Sequence, residues 1–341
     1  MRFAIFALAT SLACAQTPAQ VSKVFQFTQN QSENDLQQMT VLVRGITDAQ
    51  NISTDSTAQT LAINGSAGQT AMAGWLVRQM DLSAAPTGGV NAQWSPSPND
   101  TVRVFYATQA ATLPALQELA TNIRSVADIR RLFVYNRLKA VAIRDTDAKV
   151  SLAAWLMDQL NQPPGSPAPS PHEYKLSDND IARVFELKNP PNPQSLQEIA
   201  TLVRSVADIQ RMFIYNRRKS LSVRGTADRV ALAEWLVSEL DRPASALSVT
   251  APMSQEYRLP EGASPRDGET VVRVFYLPPQ PPADLHKTIS AVRANAQVRR
   301  TYIYNTLYAL AVRGTPGEIL TAEKTIEEIG KTQPPPPAPK P

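Results

Sequence analysis

The 341-residue sequence contains one cysteine and two histidines, and this scarcity limits the chemistry it can support. Cys14 lies near the start, so the mature chain is predicted to have no disulfide and no cysteine-based metal site. His172 lies in a Pro/Ser-rich stretch and His286 on a predicted helix, and neither has a nearby metal-binding partner. Phosphate-loop, dinucleotide and Gly-x-Ser-x-Gly motifs are also missing. The sequence therefore predicts a protein that is not an enzyme and that holds no metal or cofactor.

Long apolar runs are equally scarce. The run Phe3–Leu12 follows Arg2 and precedes Ala13-Cys14-Ala15, a pattern typical of a signal peptide (residues 1–15) that is cleaved after Ala15. The run is too short to cross a bilayer, so no transmembrane segment is predicted. A lipid anchor on Cys14 is the disfavoured alternative, because Ser11 stands where a lipobox has a branched apolar residue. An exported chain without disulfides favours a bacterial periplasmic or secreted location.

One unit is repeated four times along the mature sequence. Its marker residues Phe25, Phe105, Phe185 and Phe275 stand 80, 80 and 90 residues apart. The predicted repeats cover residues 21–82, 100–161, 172–242 and 255–331, and a Pro-rich, disordered tail covers residues 332–341. Repeats two and three are the most alike. Repeat one is the most diverged, because it lacks the Tyr-Asn turn of the others.

Each repeat has the pattern of a strand, a helix, two strands and a second helix. Apolar residues at i, i+3, i+4 and i+7 from Leu196 predict the first helix, and alternation around Leu221 and Val223 predicts a half-buried strand. A capping box at Thr315 and Glu318 begins the last helix. The predicted fold class is α/β (α+β), with four tandem two-layer modules. Each module has a three-stranded mixed sheet and two helices. A further edge strand is predicted before repeats three and four, at Glu173 and Glu256.

The second helices carry a tryptophan away from their main apolar stripe. Trp75, Trp155 and Trp235 hold the same position, whereas repeat four has Lys324 there. A helix that is apolar on more than one face is usually buried on more than one face. One interpretation is that the tryptophans contact a neighbouring module, a linker or another chain, with repeat four as the cap. The other is that the helix is rotated and the tryptophans belong to the rim of the core.

The formal net charge is +4, and one arginine recurs near the end of each first helix, at Arg44, Arg124, Arg204 and Arg293. A favourable interaction with the helix dipole explains this position. The alternative is a row of cations facing an anionic partner such as lipid or peptidoglycan. The recurring carboxylates Glu118, Glu198 and Asp128 are explained by helix solvation and capping.

The segments Tyr215–Thr226 and Leu236–Asp241 resemble the short N-terminal ring domains of bacterial secretins. The resemblance covers nearly the whole mature chain, four times over. It implies a KH-like β-α-β-β-α fold, a periplasmic location and side-to-side packing of modules. The secretin β-barrel domain has no counterpart after the last repeat, so an outer-membrane pore is not expected.

The sequence as a whole predicts a non-enzymatic cell-envelope scaffold. Its expected partners are envelope proteins or further copies of itself, and the expected setting is a secretin, pilus or secretion assembly. The alternative is an envelope ligand binder that uses the arginine row. A nucleic-acid partner is disfavoured, because Gly314-Thr-Pro-Gly317 lies between a strand and a helix, whereas a KH loop joins two helices.

Overall fold

The computed structural model describes residues 20–86, 91–97, 99–167, 169–170, 172–243, 245, 253–260, 262 and 268–332. The predicted signal peptide with Cys14 and Ala15, and the Pro-rich tail from residue 333, lie outside the described residues. The chain divides into two compact units, residues 1–83 and 84–341. None of the described helices is both long enough and apolar enough to cross a membrane.

The first unit contains module one, which has three strands and two helices. Its elements are β1 (Val21–Gln26), α1 (Glu33–Thr47), β2 (Asn51–Asp55), β3 (Thr60–Gly65) and α2 (Ala67–Met80). The strands lie in the order β1-β3-β2, and both pairs are antiparallel. Ser32 and Ser66 begin the two helices with capping boxes, as expected for a serine followed three residues later by a side chain that can accept a hydrogen bond.

The second unit contains three larger modules, each with four strands and two helices. Module two comprises β4 (Ala92–Ser97), β5 (Asp100–Tyr106), α3 (Leu113–Ala127), β6 (Arg131–Tyr135), β7 (Ala140–Asp145) and α4 (Asp147–Leu160). Module three comprises β8 (Glu173–Ser177), β9 (Asp180–Glu186), α5 (Pro193–Val206), β10 (Arg211–Tyr215), β11 (Ser220–Gly225) and α6 (Ala227–Leu240). Module four comprises β12 (Met253–Arg258), β13 (Val271–Tyr276), α7 (Pro282–Ala296), β14 (Arg300–Tyr304), β15 (Ala309–Gly314) and α8 (Pro316–Thr332).

The α/β class and the repeated module are confirmed, but the sheets differ from the predicted three-stranded mixed sheet. Every strand pair is antiparallel, in the orders β4-β5-β7-β6, β8-β9-β11-β10 and β12-β13-β15-β14. The last strand of each module lies between the first and second strands of the repeat, so those two parallel strands are never neighbours. The edge strands β8 and β12 were predicted, whereas β4 lies between the predicted repeats one and two, where no strand was expected.

Local sequence explains where the helices begin and where the chain turns after them. Asn192 caps α5 with Pro193 in its first turn, and the Glu318 carboxylate and the Thr315 hydroxyl form the predicted capping box of α8. After α3, Asp128 has a φ of 56°, and Asp208 after α5 has the same value. Aspartate tolerates this left-handed backbone better than most residues, and it directs the chain into the next strand.

Candidate functional site

The first helix of one module packs on the sheet of the next module in the second unit. Asn122 and Val126 of α3 are completely buried, and Tyr215 at the end of β10 is fully buried in the same cluster with Val184. At the second junction, α5 contributes Leu202 and Val206 at the same helical positions. They lie in one cluster with Tyr304 and Val274 of module four. The same helix face thus makes both junctions, named here the two–three junction and the three–four junction.

A carboxylate on each of these helices binds the turn of the following module. The Glu118 carboxylate accepts hydrogen bonds from the backbone N–H of Asn216, at 3.2 Å, and from its side-chain amide. The Glu198 carboxylate accepts the backbone N–H of Asn305, at 3.0 Å. The sequence suggested that these glutamates serve only helix solvation. In the structure they satisfy a backbone donor in the neighbouring module.

Two further polar contacts recur at the C-terminal ends of the helices. Arg224 donates to the Val126 carbonyl at 3.4 Å, and Arg313 donates to the Val206 carbonyl at 2.7 Å. Because burial disfavours a charged guanidinium, the pKa of Arg313 is lowered to about 10. The side chain therefore still carries its charge at neutral pH inside the three–four junction.

The aspartates that follow the helices pair with the first residue of the neighbouring module's edge strand. Asp128 lies 3.4 Å from Arg211, and Asp208 lies 3.8 Å from Arg300. A hydrogen bond from Lys149 and the nearby charges of Lys149 and Arg211 hold the pKa of Asp128 below its usual value. The recurrence of Asp128 in the sequence suggested helix solvation and capping, and it did not indicate the contact with module three.

The tryptophans of α4 and α6 face the added strand of the following module. The Trp155 ring lies 5.8 Å from that of Tyr174 in β8, and the Trp235 ring lies 5.4 Å from that of Tyr257 in β12. Leu232 and Leu236, beside Trp235, are completely buried, so α6 is covered on a wide face. In the first unit, Trp75 is also buried.

The two junctions differ at one pair of equivalent positions. In module three, the buried Arg218 guanidinium binds the Glu186 carboxylate and donates to the carbonyls of Pro163 and Ser166, at 2.6 and 2.8 Å. In module four these positions hold Leu307 and Tyr276. The Tyr276 hydroxyl donates to the Glu239 carboxylate of α6 at 2.7 Å. Burial and the adjacent Glu239 raise the pKa of Tyr276.

Module four lacks the helix face that makes these junctions. Lys287 of α7 stands at the position of Glu118 and Glu198, and Asn295 stands at the position of Val126 and Val206. Gln297 replaces the aspartate after the helix. All three side chains are exposed. The last helix also carries exposed Lys324 in place of the tryptophan, so both contact surfaces are polar in module four.

The predicted arginine row makes contacts within its own modules. Arg124, Arg204 and Arg293 donate to the carbonyls of Leu132, Met212 and Thr301, at 2.7, 2.9 and 2.6 Å. Each guanidinium therefore ties the end of the first helix to the edge strand that follows it. Arg44 lies at the same position of α1 and is exposed. Binding of an anionic ligand by this row stays a prediction.

A cleft of about 670 Å³ lies beside the turn of module three. Its lining is rich in cationic side chains, which are Lys188, Arg217, Arg218 and Lys219, with His172 beside them. His286 is exposed on α7, far along the sequence from this cleft. Among the described residues, no group of His, Cys, Asp and Glu side chains is arranged to hold a metal.

Comparison with known proteins gives only distant structural neighbours. No protein family matches the sequence, and no curated protein is similar to it in sequence. Aeromonas hydrophila ExeD is 16% identical over 70% of this chain, which spans 43% of the ExeD chain, at a TM-score of 0.16. The N-terminal domain of the secretin XcpQ from Pseudomonas aeruginosa is 15% identical over 62% of this chain and 78% of its own, at a TM-score of 0.21.

A third neighbour is not described as a secretin. Dim2p from Pyrococcus horikoshii OT3 is 14% identical over 43% of this chain and 93% of its own, at a TM-score of 0.25. Secretin N-terminal domains are thus among the neighbours.

Proposed function

We propose that this protein is a non-enzymatic scaffold of the bacterial cell envelope that acts by holding modules in a fixed order and presenting their strand edges to protein partners. The observation that carries the proposal is the repeated junction. The same helix face, the same carboxylate-to-turn contact and the same arginine-to-carbonyl contact occur twice in the second unit. A packed junction that recurs in this way is typical of repeat proteins, whose neighbouring units share one continuous core.

The surfaces of module four support an array that ends there. A helix that is to receive another module needs a carboxylate for the turn and apolar residues for the sheet, as α3 and α5 have. Lys287 and Asn295 give α7 neither. Trp155 and Trp235 are further proposed contact residues between modules, with Trp75 as their equivalent in the first unit. The predicted signal peptide supports a periplasmic or secreted location.

Small-angle X-ray scattering of the mature chain tests the fixed order. In the variant Glu118→Lys plus Glu198→Lys, each junction loses a carboxylate acceptor, and an ammonium faces the N–H donors of Asn216 or Asn305. The junctions should therefore open, and the largest dimension of the particle should increase. The variant Lys287→Ala should scatter like the wild-type chain. Equal scattering of the double variant and the wild-type chain would overturn the role of the junctions. A monomeric chain that retains no envelope protein in affinity capture would count against the scaffold.

A second candidate function is favoured by the cationic cleft of module three. Lys188, Arg217 and Lys219 line it together, whereas the charge of Arg218 is balanced by Glu186. An anionic envelope ligand, either lipid or peptidoglycan, would suit this lining better than the arginine row, whose members bind backbone carbonyls. Co-sedimentation with anionic vesicles or peptidoglycan, and its loss on Lys188→Ala plus Arg217→Ala but not on Arg124→Ala, would identify this site.

A further inference from the structure

The sheet of module one has one strand fewer than the others among the described residues. In modules two, three and four, an extra strand pairs antiparallel with the first strand of the repeat: β4 with β5, β8 with β9 and β12 with β13. In module one the first strand of the repeat is β1. In the described part of the chain, β1 pairs only with β3. Most side chains of β1 are exposed, including Val24 at 63%.

The backbone of β1 directs hydrogen-bonding groups toward its outer edge. The Phe27 N–H donates to the Gln59 carbonyl at 2.9 Å, on the side of β3. Because N–H groups alternate along a strand, the N–H groups of Ser22, Val24 and Gln26 point the other way. In module three the residue equivalent to Val24 is Val184, and its N–H donates to the His172 carbonyl. Among the described residues, the edge that is used in module three is therefore available in module one.

The side chains define what an added strand should carry. A cation lies over the phenylalanine ring of the first strand in all four modules, as Lys23 does over Phe25 at 5.3 Å. In module three this cation is Arg183, 3.8 Å from Glu173 of the added strand, and in module four Arg273 binds Glu256 at 3.1 Å. Gln93 lies opposite Arg103 in module two.

The next residue of each added strand is aromatic. Trp94, Tyr174 and Tyr257 lie opposite Val102, Ala182 and Val272, the positions that correspond to Ser22. Lys23 also lacks the second acid that Arg183 finds in Glu234, because α2 has Gly74 at that position. Within the described residues, Lys23 has no carboxylate partner.

We infer that the outer edge of β1 binds an extended segment of another protein as a fourth antiparallel strand, with a glutamate opposite Lys23 followed by an aromatic residue opposite Ser22. This inference rests on the proposed scaffold function and names one of its docking edges. Strand addition of this kind obtains affinity from the main chain and specificity from alternate side chains. A second copy of β1 fits less well, because its sequence, VSKVFQ, offers Lys23 no acid.

Fluorescence anisotropy with a labelled peptide of residues His172–Asp178 tests the inference on the intact mature chain. This peptide carries the Glu-Tyr pair of β8, and we expect saturable binding. Val24→Pro removes one outward N–H without removing a hydrogen bond to β3, a position where edge strands tolerate proline. It should weaken binding at least tenfold. The matched control Val24→Thr keeps the N–H and should bind within about twofold of wild type, since exposed substitutions have small effects.

A charge exchange keeps the test decisive if the proline variant fails to fold. Lys23→Glu should weaken binding of the peptide about fivefold, the upper range for a cross-strand charge pair, and should restore binding of a peptide with Glu173→Lys. Three results would overturn the inference: no saturable binding to the wild-type chain, equal binding to the Val24→Pro variant, or a wild-type dimer that Val24→Pro dissociates. The junction variants Glu118→Lys and Glu198→Lys leave β1 intact, so failure here leaves the scattering result unaffected.

Discussion

The two junctions of the second unit share three contacts but differ in what the first strand and the turn of the following module bind. Both have a glutamate bound to the following turn, an arginine bound to the last helical carbonyls and a tryptophan beside a tyrosine. At the two–three junction, the Arg218 guanidinium is paired with Glu186 and donates to the carbonyls of Pro163 and Ser166. At the three–four junction, Tyr276 binds Glu239 of α6 instead.

This difference separates two tasks that one interface performs. The shared contacts lie along the helix and fix where the next sheet sits on it, so they recur. The differing contacts join the following module to the connecting segment at the two–three junction and to the end of α6 at the three–four junction. A buried ion pair is seldom more stabilising than apolar residues of similar size. The value of Arg218 therefore lies in the two carbonyls that it holds, and not in its pairing with Glu186 alone.

The largest expected effect comes from the aromatic residue at the centre of each junction. Tyr215→Ala and Tyr304→Ala should each lower the free energy of unfolding by about 3–5 kcal/mol, because each leaves a cavity among fully buried side chains. Urea unfolding measures both. Tyr302 is half-buried on β14, the strand of Tyr304, and Tyr302→Ala is the control. It should lower the free energy of unfolding clearly less. A loss below about 1 kcal/mol for either central tyrosine would mean that the junction is not packed as described.

The next effect exchanges the chemistry of one junction for that of the other. Arg218→Leu should cost about 3 kcal/mol, because it leaves Glu186 and two carbonyls without their partner. Adding Glu186→Tyr recreates the pair found in module four and should bring the stability to within about 1 kcal/mol of wild type. Urea unfolding of Arg218→Leu, Glu186→Tyr and the double variant forms the test. Additive losses in the double variant would show that these positions do not act together.

A smaller effect separates the two glutamates. Glu118→Ala should cost about 2 kcal/mol and Glu198→Ala about 1 kcal/mol, because Glu118 accepts two hydrogen bonds from its turn and Glu198 accepts one. Lys287→Ala occupies the same helical position in module four and should change stability by less than about 0.5 kcal/mol. Thermal unfolding suffices for the measurement. The comparison fails if Lys287→Ala costs as much as the two glutamate variants.

The smallest expected effect depends on pH and concerns Asp128, which binds Lys149 within module two and pairs with Arg211 across the two–three junction. The folded pKa of Asp128 lies below its unfolded value of 3.8, so the stability that Asp128 contributes is present above that value. It is lost as the pH falls through the folded pKa. Asp128→Asn should therefore flatten the acid limb of stability below about pH 4 and leave that limb unchanged in shape above it. Because the Asp128 side chain is about half exposed, the change should be small. An unchanged acid limb would contradict this contribution.

Sequence patterns predicted the modules because each module's own core sets the periodicity of its helices and strands. The stripe around Leu196 and the alternation at Leu221 depend only on local burial. The role of Glu118 could not be read in the same way, since a glutamate on a helix surface looks the same whether water or Asn216 binds it. A comparison of repeats gave one signal: Glu118 and Glu198 recur, whereas module four has Lys287.

The strand β4 shows a second limit. Its sequence, AQWSPS, contains a proline and no alternating apolar pattern, so local sequence predicts no strand there. It forms a strand because β5 offers an open edge, and pairing with that edge satisfies its backbone. The added strands β8 and β12 were found only because their Glu-Tyr sequences match each other. Tertiary context, and not local propensity, decides such edge strands.

The double burial of α3 and α5 should also govern how the second unit opens. Each of these helices lies between its own sheet and the sheet of the next module, so its backbone amides can exchange hydrogen with water only when two modules separate. The backbone amides of α7 can exchange when module four alone opens. Hydrogen exchange should therefore be slowest in α3 and α5 and faster in α7. Local stability would then decrease along the chain although the modules share one fold. Among the first helices of the second unit, the one that exchanges fastest would then mark the module at the end of the array.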